Sequence, residues 1–253
     1  MNINTNNPPA DNFEKMIIKD IVLQNFKAAE VMEKYGIDFC CKGKRPLNEA
    51  IAEKNINGEK FLKELEKSFQ KNSGEEERFE TWDLHFLSQY IVNNHHAYIK
   101  EKVPVITAHL EKINNVHGAK YNFLQNVLAE FEALASELLN HMAKEERILF
   151  PIIKYLVDSK KFNERPRTEG YGAIKHPIMK MESEHDTAGR VAEKIRTLTN
   201  NYKLPADACT TFRVTYQELE EFEKDLHKHV HLENNILFPK SILLEEELLT
   251  RKK

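Results

Sequence analysis

From residue 82 to residue 248, apolar side chains return every three or four positions. That is the period of helices with one face in a core. Breakers divide the stretch into four. Residues 82–113 form the first predicted helix, ended by a turn at 114–120 that contains Gly118. Residues 121–157 form the second, and 158–173, rich in Lys, Arg, Pro and Gly, a loop. Residues 174–198 form the third, and Asn200, Asn201 and Pro205 mark a turn before the fourth at 206–248. Two short turns and one longer loop predict an up-down-up-down four-helix bundle. Upstream, residues 17–35 read as an amphipathic helix ended by Gly36, and 47–55 and 59–69 as shorter helices. The expected fold is all-α: a small helical module at 12–70, a polar linker at 71–82 and a bundle at 83–248.

Each apolar seam of the bundle is interrupted at one level. The second helix places Phe131, Leu134, Leu138, His141, Glu145, Ile148 and Ile152 along one face. The fourth places Leu219, Phe222, Leu226, His229, Glu233 and Ile236 on the same rhythm. The third carries His185 between Met181 and Ala188, and the first carries His95 between Ile91 and Ile99. His141 and Glu145 are followed by Ile-Leu-Phe-Pro, and His229 and Glu233, 88 residues on, by the same four letters. A His and a Glu one turn apart share a helix face. A buried ionised carboxylate costs several kcal/mol unless it is paired or bound to metal.

The levels match. His95 and His141 lie 23 residues either side of Gly118, and His185 and His229 lie 22 either side of Asp207. At a rise of about 1.5 Å per residue, all four imidazoles fall in one layer roughly 33 Å from the turns. His117, beside the first turn, falls roughly 30 Å from that layer and would approach it only if the first helix broke at Pro104. His96, His109, His227 and His231 lie off the seams and are expected at the surface.

Composition narrows the classes. Among 253 residues, charged ones make up 30% with both signs mixed, for a net charge of -3. This gives no global reason to expect nucleic acid or an anionic membrane as a partner. No apolar run approaches the roughly 18 residues of a membrane span, and the first residues carry no signal-peptide pattern, so a cytoplasmic location is expected. Three cysteines, Cys40, Cys41 and Cys209, are too few for a disulfide scaffold. Cys209 opens the fourth helix and is expected to be structural.

Four imidazoles and two carboxylates exceed what one tetrahedral zinc takes. They suit two ions bridged by both carboxylates, and a mixed nitrogen and oxygen set without thiolate favours iron. The expected cofactor is a pair of non-haem irons with a solvent-derived oxygen bridge, held by His95, His141, Glu145, His185, His229 and Glu233. One open position per iron would take a small ligand such as oxygen or nitric oxide. Glu137, one turn before His141, and Glu184, next to His185, are candidates for holding the ligands or lining an iron path.

These His-x-x-x-Glu pairs resemble the hemerythrin-like domain. The segment Tyr35-Gly36-Ile37-Asp38-Phe39-Cys40-Cys41-Lys42-Gly43-Lys44-Arg45-Pro46-Leu47 resembles the N-terminal signature of the bacterial iron–sulfur cluster repair di-iron proteins. Met181-Glu182-Ser183-Glu184-His185-Asp186 and the two stretches ending in Ile-Leu-Phe-Pro are similar to the same family, and the match runs from about residue 13 to 240. The usual Cys-Cys-Gly-Gly-Lys of the family stands here as Cys-Cys-Lys-Gly-Lys. The resemblance implies a stress-response protein with a di-iron centre that restores iron–sulfur clusters damaged by nitric oxide or oxidants. It implies damaged iron–sulfur proteins as partners, with a homodimer left open. Iron donation, ligand sensing and reductive turnover remain alternatives for the chemical step. Cys40 and Cys41 are candidate reactive thiols, because the neighbouring Lys42, Lys44 and Arg45 would favour thiolate.

Overall fold

The computed structural model describes residues 13–40, 42–70, 79–166 and 173–250. It is all-α, as the periodicity predicts, with no strand among the described residues and one isolated bridge between Ile17 and Pro46. The chain divides into two compact units, one ending at Thr81 and one beginning at Trp82. Most of the expected linker, residues 71–78, lies outside the described residues.

In the first unit, the single helix expected at 17–35 is two, α1 (Ile18–Gln24) and α2 (Ala28–Lys34). Asn25 makes the break. Its backbone is extended, its Oδ1 accepts from Lys27 N at 2.9 Å, and its Nδ2 donates to Ser68 O at 3.1 Å. Asn side chains compete for backbone groups in this way and stop helices. Gly36 ends α2 at φ 68, a left-handed conformation that glycine adopts without strain. Helices α3 (Leu47–Glu53) and α4 (Gly58–Gln70) complete the unit. Phe13, Ile18, Ile21, Met32, Leu47 and Phe61 are fully buried between them.

The second unit is the bundle. Its first arm comprises α5 (Leu84–Ile91), a π-helical turn at Val92–His96, and α6 (Ala97–His117). Asp83 caps α5, accepting from His85 N and Phe86 N. Its second arm comprises α7 (Phe123–Lys144), a π turn at Glu145–Leu149, and α8 (Phe150–Lys161). The third is α9 (Lys175–Leu198). The fourth comprises α10 (Thr210–Leu232), a π turn at Glu233–Leu237, and α11 (Phe238–Thr250). Helices α6, α7, α9 and α10 pack in a closed ring, each against two neighbours. Helices α8, α11 and α5 pack together at the end away from the short turns. At the opposite end, Asp207 accepts from Lys120 Nζ and Tyr121 OH, tying one turn to the other.

The π turns move the seams. A π turn inserts one residue into an α-helix, so every later side chain steps round by one position. Ile148, expected in the core, is 55% exposed, while Leu149, Ile153 and Leu156 are buried. The sequence offers apolar residues in both registers there, so periodicity alone could not choose between them.

Candidate metal centre

The three π turns lie at one level of the bundle, and each carries site residues. Glu145 and Glu233 open the second and third turns, each one turn after a histidine of the preceding α-helix. His96 closes the first. Single π turns of this kind concentrate at functional sites because they re-aim side chains without ending the helix.

Six side chains converge there, all buried to 3% exposure or less. His96 Nε2 lies 3.2 Å from His229 Nε2, and His141 Nε2 lies 2.9 Å from His185 Nε2. Glu145 divides its oxygens between the two imidazole pairs, with Oε2 3.4 Å from His96 Nε2 and Oε1 3.2 Å from His141 Nε2. Glu233 does the same, with Oε1 3.2 Å from His229 Nε2 and Oε2 3.1 Å from His185 Nε2. Two four-residue groups result, His96–Glu145–His229–Glu233 and His141–Glu145–His185–Glu233. Within each group the donor atoms lie within 4.8 Å of one another.

The family model of the hemerythrin HHE cation binding domain matches residues 87–241. That of a domain of unknown function (DUF542) matches residues 14–68. A probable iron–sulfur cluster repair protein of Haemophilus influenzae is 34% identical over 231 residues, covering 90% of this chain and 97% of that protein. The iron–sulfur cluster repair protein YtfE of Yersinia pseudotuberculosis is 34% identical over 217 residues, covering 85% of this chain and 91% of that one. Its namesake in Pectobacterium atrosepticum is 34% identical over 220 residues, with the same shares covered. The chain belongs to the iron–sulfur cluster repair protein family.

The donor set of this family member fits a metal pair on physical grounds. His96 Nδ1 faces Glu146 Oε1, His141 Nδ1 faces Glu184 Oε2 and His185 Nδ1 faces Asn234 Oδ1, each at 2.8 Å. Those acceptors fix the proton on Nδ1 and turn the Nε2 lone pairs inward. Nitrogen lone pairs at 2.9 and 3.2 Å, and four carboxylate oxygens without a donor, repel one another unless something cationic lies between them. A metal ion does this, and protons do it in part. Burial opposes charge on His141, yet the Glu145 carboxylate beside it lifts its pKa to about 9. Burial and the neighbouring Glu233 oppose ionisation of Glu145, but His141 and His96 hold it below the usual carboxylate range. Burial also opposes ionisation of Glu184, which Lys144 and His141 nonetheless hold at about 2.

His95, expected among the ligands, is not in either group. The π turn at Val92–His96 brings His96 to the centre instead, and His95 is buried beside it with Nδ1 2.8 Å from Asp225 Oδ1. Burial lowers the His95 pKa, favouring the neutral ring. His96, expected at the surface, is 0% exposed. The one signal for it was the doublet His95-His96, since a regular helix could not present both and an inserted residue selects the second. His227 and His231 are buried as well, His231 pairing with Asn235 at 2.9 Å, and neither joins the cluster. The tight packing around α10 leaves it no wet face at this level.

The remaining candidates fall in different places. Glu184 touches His141 directly, and Lys144 and Lys180 lie against it. Glu137 lines, with Glu184 and Lys180, a cavity of about 350 Å³ that reaches His141 and His185. His117 lies at the turn end, where its Nε2 is 3.2 Å from Cys209 Sγ. Cys209 is exposed at the N-cap of α10 and packs into no core, contrary to the structural role expected of it. Cys40 is buried, and its thiol donates to Asp38 Oδ1 at 3.2 Å. Arg45, one of the cations expected to serve the thiols, pairs with Glu53. Cys41 lies outside the described residues.

Proposed function

We propose that this chain is a di-iron protein that repairs iron–sulfur clusters damaged by nitric oxide or oxidants by supplying iron. His96 and His229 would hold one iron, His141 and His185 the other, and Glu145 and Glu233 would bridge them. The observation that carries the reading is the division of each buried carboxylate, one oxygen towards each imidazole pair. Iron bound there would supply redox and ligand-binding chemistry. The protein's own groups orient it through Glu146, Glu184 and Asn234, and keep bulk water from four donors on each side.

The relatives are named for cluster repair, which supports damaged iron–sulfur proteins as the partners. The cavity lined by Glu137, Glu184, Lys144 and Lys180 offers a polar approach to His141 and His185. The Cys40 loop, held by Asp38, is the proposed contact to the damaged partner. The reading includes a cytoplasmic location, and no described helix is long and apolar enough to cross a membrane. Iron-loaded protein should restore activity to a nitric-oxide-damaged cluster enzyme faster than equal iron as a salt. Restoration by the salt and not by the protein would defeat the reading.

The same cavity favours a second reading, a binding or sensing protein for oxygen or nitric oxide. Under it the thiol loop is dispensable, and a Cys40→Ser/Cys41→Ser variant keeps full biological activity. Under cluster repair that variant loses it.

A further inference from the structure

We propose that Trp82, Tyr90 and His95 form an electron path from a surface pocket to His229, and that the pocket takes a reduced flavin nucleotide as the electron donor. The inference rests on the di-iron reading and concerns how that metal pair is reduced. Iron(III) held by carboxylates and imidazoles is released more readily once an electron makes it iron(II). A chain that supplies iron therefore gains from a route for electrons.

The inner end of the path is a metal-facing imidazole. The His229 ring stacks on His95, parallel to within 5° with centroids 5.6 Å apart. Asp225 holds His95 in that pose, with Oδ1 2.8 Å from Nδ1. His95 meets Tyr90 edge-on at 5.9 Å, and Tyr90 meets Trp82 edge-on at 5.2 Å. Trp82 is half-buried and is the sole tryptophan of the chain. Electronic coupling decays steeply with the gap between donor and acceptor, and rings in contact keep each gap small. His96 and His185 stack instead on Phe150 and Phe238, both buried. Lys228 sets the direction. Its Nζ lies 5.9 Å from the Tyr90 ring centre and 3.4 Å from the hydroxyl oxygen. A cation there favours a passing electron and opposes a hole.

The outer end is a pocket of about 580 Å³, within the range of small-molecule and cofactor sites. Trp82 and four aliphatic side chains wall it, and Lys160, Lys161 and Lys240 line it beside Asp83 and Glu247. Asp83 is engaged as the cap of α5, and Glu247 accepts from Lys160 Nζ at 2.8 Å. The excess of ammonium groups suits a phosphate, and the indole suits a planar ring laid against it. A flavin nucleotide carries both and gives up electrons one at a time. Each transfer takes one electron from the flavin, whose ring proton passes to solvent, and reduces one iron(III) to iron(II). No bond of the chain forms or breaks.

Two measurements test this, the first without metal. Flavin mononucleotide (FMN) added to metal-free protein should lose fluorescence saturably, and Trp82→Leu should abolish that loss. Riboflavin, which lacks the phosphate, should bind more weakly, as should FMN to Lys161→Gln/Lys240→Gln. In the second, photogenerated FMN semiquinone should reduce iron(III)-loaded protein. Trp82→Leu and Tyr90→Leu should lose most of that rate, and Tyr90→Phe, which keeps the ring, should retain it. The advantage of FMN over riboflavin should fade at 1 M salt, where the screening length is about 3 Å. Absence of saturable FMN binding, or a wild-type reduction rate in Tyr90→Leu, overturns the inference. Should Trp82→Leu fail to fold, Tyr90→Leu against Tyr90→Phe decides. A protein that binds FMN but fewer than two metals defeats the di-iron reading and the path with it. One that binds two metals but no FMN defeats this inference alone.

Discussion

Replacing Glu233 by Leu withdraws an oxygen from both imidazole pairs at once, since its two oxygens lie 3.2 Å from His229 Nε2 and 3.1 Å from His185 Nε2. Losing an outer partner of a ligand costs roughly 10–100-fold in metal affinity. A shared direct ligand should cost at least the upper end, about 100-fold for each metal. Metal stabilises the fold that binds it by about 4.1 kcal/mol at a thousandfold excess over Kd, and by about 1.4 kcal/mol at tenfold excess. The variant therefore forfeits about 2.7 kcal/mol of metal-linked stability per site. For a domain of this size, 1 kcal/mol shifts the melting midpoint by roughly 2–4 °C. The rise in midpoint on adding anaerobic iron(II) should shrink by roughly 5–11 °C per metal. The assay is thermal unfolding with and without metal, alongside metal analysis of the same samples. Glu132→Leu, on the exposed face of α7, serves as the control and should keep the full rise. A Glu233→Leu protein that keeps two metals and the full rise would refute the bridging assignment.

Glu184→Leu should weaken metal binding about 10–100-fold through His141, because it removes the acceptor 2.8 Å from His141 Nδ1; chelator competition reads this out. Arg196→Met should cost about 3–5 kcal/mol in denaturant unfolding, because the buried Glu223 loses a two-nitrogen partner and keeps only Tyr202. The double variant Arg196→Met/Glu223→Leu should regain most of that. Gly43→Ala should destabilise the first unit by about 2–4 kcal/mol, since a Cβ there would sit 2.1 Å from the Phe39 carbonyl oxygen. Proteolysis within residues 13–70 should then rise while the bundle stays intact.

The family's fold was legible because its physics is local. Periodicity, Gly36 and Gly118 mark helices and their ends within a few residues of sequence. Five of the six converging side chains were legible too, because His and Glu in an apolar stripe stand out wherever the helix is regular. The break at Asn25 was not, because it depends on Ser68, 43 positions away, accepting from that side chain.

His96 shows the limit most clearly. Over 84–99 the letters are compatible with a continuous α-helix that buries His95. The inserted residue at Val92–His96 loses regular hydrogen bonding in its own arm, and it returns that cost only where Glu145, Glu146 and His229 come from other arms to meet His96. The same holds for the division of each carboxylate between two imidazole pairs. Sequence determined which residues are expensive to bury and at what height along the bundle. Tertiary packing decided which way each one points, because that choice balances an irregular turn in one helix against contacts supplied by others.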